Sequence, residues 1–133
     1  MNIVVINNLD VATTLHWHGQ LQRGSTTMDG VMGITQCAIA PGASMTYTFK
    51  ADPPGTFWYH SHARDHYLDG LYGPLIIHHP EGDLYSRDYH DQWIWMLADW
   101  YNMRGSDLAQ WYRSDANPEG TERMYSTAQH STQ

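Results

Sequence analysis

The chain has 133 residues, a formal net charge of −7, only seven Lys and Arg, and 41% hydrophobic residues. That length holds one domain with a real core, and the acidic balance argues against a nucleic-acid or anionic-membrane surface. No apolar run approaches the ~20 residues a membrane-spanning helix needs, and Met1 leads straight into Ile3-Val4-Val5-Ile6 without the basic leader or cleavage site of a secretory signal.

Residues 2–9 read as a first strand, ending at Asn7-Asn8. Residues 12–18 read as a second strand and carry His16-Trp17-His18. Residues 19–36, rich in Gly, Thr and Ser, are expected to form a long loop, and Pro41-Gly42 is a turn signal. Residues 45–50 alternate as a strand does, with Tyr47 and Phe49 on one face and Thr46 and Thr48 on the other. Asp52-Pro53-Pro54-Gly55 is a strong turn, residues 56–62 form the next strand with His60-Ser61-His62, and residues 75–78 are a short apolar run typical of a buried strand. Residues 80–90 read as a linker, and Gln92-Trp93-Ile94-Trp95-Met96-Leu97-Ala98-Asp99-Trp100-Tyr101 as one more strand. From Met103 onward the sequence is polar and turn-rich, with Asp115 to Gly120 as a loop and a tail expected to be disordered. Short strands at regular spacing with Gly/Pro turns indicate an all-β sandwich or barrel.

The two His-x-His pairs are the chemical signal. Strand side chains alternate faces, so both imidazoles of each pair point one way and the middle residue the other. Two such strands side by side would gather His16, His18, His60 and His62 into a metal site. Count alone is weak, since nine His in 133 residues give roughly 0.6 such pairs by chance. Imidazole suits copper, zinc, iron and nickel, so the donors alone name no metal. Other residues have plain alternatives. The six Trp and nine Tyr mainly serve core and sheet packing, with Trp17 and Trp58 packing around the ligand strands. Asp29-Gly30 fits either a turn or a carboxylate that relays protons beside a metal, whereas Asp69-Gly70 reads as a turn. Cys37 is the single Cys, either a buried free thiol or one with a partner outside the chain. His66 reads as a surface loop residue, His78 and His79 face opposite ways, and His90 and His130 are solvated.

The surroundings of the two pairs narrow this further. Thr14-Leu15-His16-Trp17-His18-Gly19 is followed by Met28-Asp29-Gly30 and Ile34-Thr35-Gln36-Cys37. Pro41-Gly42-Ala43-Ser44-Met45-Thr46-Tyr47-Thr48-Phe49 comes next, then Gly55-Thr56-Phe57-Trp58-Tyr59-His60-Ser61-His62 and Asp69-Gly70-Leu71-Tyr72-Gly73-Pro74. From about Asn2 to Tyr101 this order resembles the first cupredoxin domain of the multicopper oxidases: laccases, ascorbate oxidases and ferroxidases. The resemblance implies a cupredoxin-like Greek-key β-sandwich or barrel, incomplete at its N-terminal edge. Residues 1–80 would be most of the first cupredoxin domain, 81–90 a linker, and 91–133 the first strand of a second domain plus a polar tail. The chain would then be a fragment.

The resemblance also implies copper. His16 would bind the type-2 ion and His18, His60 and His62 the type-3 pair, half of a trinuclear cluster whose other ligands lie in a third domain. Asp29 would assist proton delivery during oxygen reduction. A type-1 copper needs a His-Cys-His motif, which this chain lacks because Cys37 lies between Gln36 and Ala38. Cys37 would instead bond to the C-terminal part of the full enzyme, and the enzyme would be secreted. The implied reaction is one-electron oxidation of phenols, aromatic amines or a metal ion, coupled to reduction of dioxygen to water. Further copies of the chain or the missing domains would complete the site.

Two rivals remain at the level of residues. One is a non-catalytic four-His module for copper or zinc. The other is a metallo-β-lactamase-like hydrolase, suggested by His60-Ser61-His62-Ala63-Arg64-Asp65-His66. One extra residue separates His62 from Asp65 in that signature, and no α/β pattern surrounds it.

Overall fold

The computed structural model describes residues 1–82, 85 and 87–120. Its strands are β1 (Asn2–Ile6), β2 (Leu15–His18), β3 (Ser44–Thr48), β4 (Gly55–Ser61) and β5 (Tyr72–Ile77), with a 3-10 turn at Thr26–Met28 and one helix, α1 (Gly105–Tyr112). β1 pairs with β3, and β2, β4 and β5 form a second sheet with β4 in the middle. The three strand pairings are antiparallel, as expected for this all-β fold. Pro74 sits in β5, which among the described residues borders only β4; an edge strand tolerates the missing N–H.

The two sheets share one core. Leu15 and Trp17 from β2, Tyr47 and Phe49 from β3 and its end, Leu75 from β5, and Ile39 are buried together, with Ile3, Val5, Phe57 and Tyr59 packed against them. Trp17 is the hub, its ring 5.2 Å from Tyr47 and 5.4 Å from Phe49. Tyr47 is fully buried, and its phenol oxygen accepts the Leu15 N–H at 3.3 Å, tying one sheet to the other. Burial raises the Tyr47 pKa and keeps the phenol neutral. Strand alternation therefore dictates the layout: each residue that sinks Trp17 inward turns its neighbours, His16 and His18, outward.

Three expectations from sequence need correction. Residues 91–101 contain no strand; a strand is defined by a ladder partner, and none of the described residues supplies one. Trp93, Trp95 and Trp100 are accordingly exposed rather than packed in a core. Residues 105–112 are helical, not irregular. The helix is held from outside: its first N–H, on Gly105, donates to the Asp69 carboxylate at 2.7 Å, and Leu108 is buried. Asp69 thus serves the helix as well as its own turn. The remaining loops follow expectation, including turns across 115–119. His130 and the rest of the expected tail lie outside the described residues.

Candidate metal centre

His16 and His60 stand directly opposite each other across the β2–β4 ladder, His18 faces Trp58, and Leu15 faces Ser61. Directly opposed side chains on one face of an antiparallel pair lie within reach of each other. The imidazoles therefore cluster: ring centroids are 5.3 Å apart for His16 and His60, 5.4 Å for His18 and His60, and 5.6 Å for His16 and His18. His16, His18 and His60 can each offer a ring nitrogen within 4.8 Å of the others. His62 follows the end of β4 and lies outside that tightest group, with its ring 5.5 Å from His16 and 6.1 Å from His60.

Two rings are held from behind. His16 Nδ1–H donates to the Asp29 backbone carbonyl at 2.7 Å, and His60 Nδ1–H donates to the Ser61 carbonyl at 2.9 Å. A carbonyl only accepts, so each bond places the proton on Nδ1 and leaves Nε2 with a free lone pair. The His60 Nε2 so released faces His18 Nδ1 at 3.2 Å. Burial lowers the His60 pKa; its bond to the Ser61 carbonyl opposes this, and the neighbouring His16, His18 and His62 add to it. A neutral imidazole at His60 is the form that binds metal.

The acceptor behind His16 exists because the chain comes very close. Gly30 has φ +82°, and any Cβ there would stand 1.8 Å from the Leu15 carbonyl oxygen. Only Gly permits both the conformation and the approach, and that approach brings Asp29 against β2. The Asp29 carboxylate lies 3.4 Å from His16 Nδ1. It stands behind the His16 ring, beside the nitrogen that the carbonyl already occupies.

The two tryptophans separate onto opposite faces. Trp17 belongs to the core. Trp58 lies on the histidine face, its ring 4.2 Å from that of His60 and 5.2 Å from that of His18. His66, expected at the surface, is half-buried and bonded to Thr13 Oγ1. Asp65 pairs with Arg113 at 3.8 Å. Neither joins the imidazole cluster, so the hydrolase signature does not assemble. His78, His79 and His90 are exposed, as is Cys37, whose thiol is free.

The donor set fits copper. Imidazole nitrogens suit that ion, the lone pairs of held rings converge, and carbonyl partners of this kind are what orient metal-binding histidines. The backbone acceptors carry no sequence signal, since any residue has a carbonyl. Gly30 was the available clue, through the Asp-Gly pair.

Comparison with known proteins agrees with this geometry. The family model for multicopper oxidase matches residues 1–82. The chain belongs to the multicopper oxidase family. It is 43% identical over 122 residues to the iron transport multicopper oxidase fetC of Epichloe festucae, covering 90% of this chain and 20% of that protein. It is 50% identical over 101 residues to laccase-1 of Cryptococcus neoformans var. grubii, covering 74% of this chain and 16% of the relative. Among solved structures, Fet3p, a multicopper oxidase that functions in iron import, superposes with a TM-score of 0.69 at 36% identity over 92% of this chain and 23% of its own. The fold is that of the cupredoxin domains of these enzymes. The chain spans about a fifth of the length of the curated relatives it matches.

Proposed function

We propose that this chain supplies half of the ligands of a trinuclear copper site in a laccase- or ferroxidase-type enzyme. His16 is assigned to the type-2 position and His18, His60 and His62 to the type-3 pair. The observation that carries the proposal is the meeting of His16, His18 and His60 nitrogens within 4.8 Å, two of the rings being locked by carbonyls. Copper, when bound, supplies the electron transfer that reduces dioxygen to water at the expense of a phenol, an aromatic amine or a metal ion. The chain's own residues do the rest. β2 and β4 hold the rings rigidly, Trp58 covers His60 and His18, and Asp29 keeps a carboxylate at hand for proton delivery.

Residues 1–80 are assigned to a first cupredoxin domain, 81–90 to a linker, and 91–133 to the start of a second. The remaining ligands, and a cysteine for Cys37, are assigned to further domains of a longer secreted enzyme or to further copies of this chain. Asp29→Asn tests the proton role. In the complete enzyme it should keep its copper and lose oxygen consumption by a factor of about 10² or more, the usual worth of a positioned acid or base.

Copper per chain by elemental analysis, with mass by light scattering and oxygen uptake on a simple phenol, tests the whole proposal. Two or more coppers per assembly with oxygen uptake support it. A single ion and no oxygen uptake in an assembly that includes the remaining ligand domains would favour the non-catalytic four-His module.

A further inference from the structure

His66 takes no part in the imidazole cluster, yet it ends a buried chain of hydroxyls behind it. Ser61 is the middle residue of the second His-x-His pair, so its side chain leaves the opposite face of β4 from His60 and His62. Ser61 and Thr13 are 1% and 3% exposed, and their hydroxyl oxygens lie 3.0 Å apart. His66 Nδ1 lies 3.4 Å from Thr13 Oγ1.

Proton accounting gives the chain a direction. The Ala63 N–H can only donate, and it does so to Ser61 Oγ at 3.2 Å. The Ser61 hydroxyl proton then needs an acceptor, and Thr13 Oγ1 is the one within reach. Thr13 must in turn donate onward. The acceptors within its reach are His66 Nδ1 at 3.4 Å and, slightly further, the Thr14 carbonyl at 3.5 Å, which also accepts the His62 N–H. Reversing the chain would strand the Ser61 proton in a site without water access, which buried hydroxyls avoid. With Thr13 donating to it, His66 accepts at Nδ1 and would carry its proton on Nε2.

The chain acts where the ladder fails. β2 and β4 are fully paired at Leu15 and Ser61, but one step further His62 N reaches the Thr14 carbonyl only at 3.4 Å. Thr13, beyond the end of β2, is fixed by paired backbone bonds with Ile39 of 3.1 and 2.7 Å. His66 is fixed by its own loop, its carbonyl accepting Asp69 N–H and Leu71 N–H.

We infer that His66 is a positioning residue: through Thr13 and Ser61 it clamps the end of β4 to β2 and so sets where the His62 ring points. The inference rests on the ligand assignment proposed above. His66→Phe keeps an aromatic ring and removes the acceptor. His66→Asn places an amide oxygen where Nδ1 was. Thr13→Val breaks the chain at its middle with little change of volume.

The test is Cu(II) titration of the metal-free chain, read by calorimetry and by electron paramagnetic resonance, beside His60→Ala as the ligand control. A 15N spectrum of the His66 ring is taken on the metal-free protein. Expected are a proton on Nε2 and a loss of affinity of about 10–100-fold in His66→Phe and Thr13→Val, the range for removing partners of metal ligands. The copper spectrum should change in those variants and be restored in His66→Asn. Wild-type affinity and spectrum in His66→Phe or, should that variant not fold, in Thr13→Val, while His60→Ala loses copper, overturn the inference and leave the ligands standing. A proton on Nδ1 overturns it too. Unchanged binding in His60→Ala overturns the ligand assignment itself, and the inference with it.

Discussion

β4 and the stretch 92–101 are both short runs rich in aromatic residues, yet they end in opposite states. β4 is hydrogen-bonded on one side to β2 and on the other to β5. The 92–101 stretch has no ladder among the described residues, and Trp93 and Trp95 are 84% and 81% exposed. Composition therefore does not make a strand. A partner does, because unpaired backbone groups gain nothing from extension alone. The difference has a chemical consequence, since a doubly paired strand holds His60 rigidly against His16, as a metal ligand requires.

The largest test of this contrast is Trp17→Ala. Trp17 is 2% exposed in the core that the two sheets share, and truncation should cost about 3–5 kcal/mol, enough to unfold a small domain, as read by denaturant titration followed by circular dichroism. Next comes Gly30→Ala. A Cβ would collide with the Leu15 carbonyl in a positive-φ position, for about 1–3 kcal/mol of strain. It should also weaken copper binding, because the Asp29 carbonyl would draw back from His16.

A smaller effect concerns pH. His60 has its pKa lowered in the folded chain, so the unfolded state binds the proton more readily and stability rises with pH through that range. The contribution is complete above the ordinary imidazole value of about 6.5 and lost as pH falls through the folded value. Melting of the metal-free chain at pH 5 and pH 8 should show that dependence, and His60→Asn should flatten it. Smallest of all is Trp95→Ser. A side chain this exposed should change stability by no more than about 0.5 kcal/mol, despite being the same residue type as Trp17. A loss comparable to Trp17→Ala would break the comparison.

Sequence showed the local parts of the site well, because strand alternation is a local rule. It placed His16 with His18, and His60 with His62, on shared faces, and put Tyr47 and Phe49 together on one face of their strand. The residues around these pairs gave the family. What sequence did not show depends on contacts distant along the chain. The Asp29 carbonyl behind His16, the tie between Asp69 and Gly105, and the bond between His66 and Thr13 join positions that no periodicity connects. Strand propensity likewise promised a partner for 92–101 that the described residues do not contain, and helix α1 arose from a polar stretch because Asp69 and the burial of Leu108 support it.

The most direct measurement is electron paramagnetic resonance of the metal-free chain loaded with one equivalent of Cu(II), counting coupled nitrogens, with His16→Ala and His60→Ala measured alongside. The account predicts couplings from at least three imidazoles, matching the group of His16, His18 and His60, and loss of one in each variant. A spectrum with one imidazole or none, unchanged by either substitution, would contradict the claim that the two strands bring their histidines to one metal.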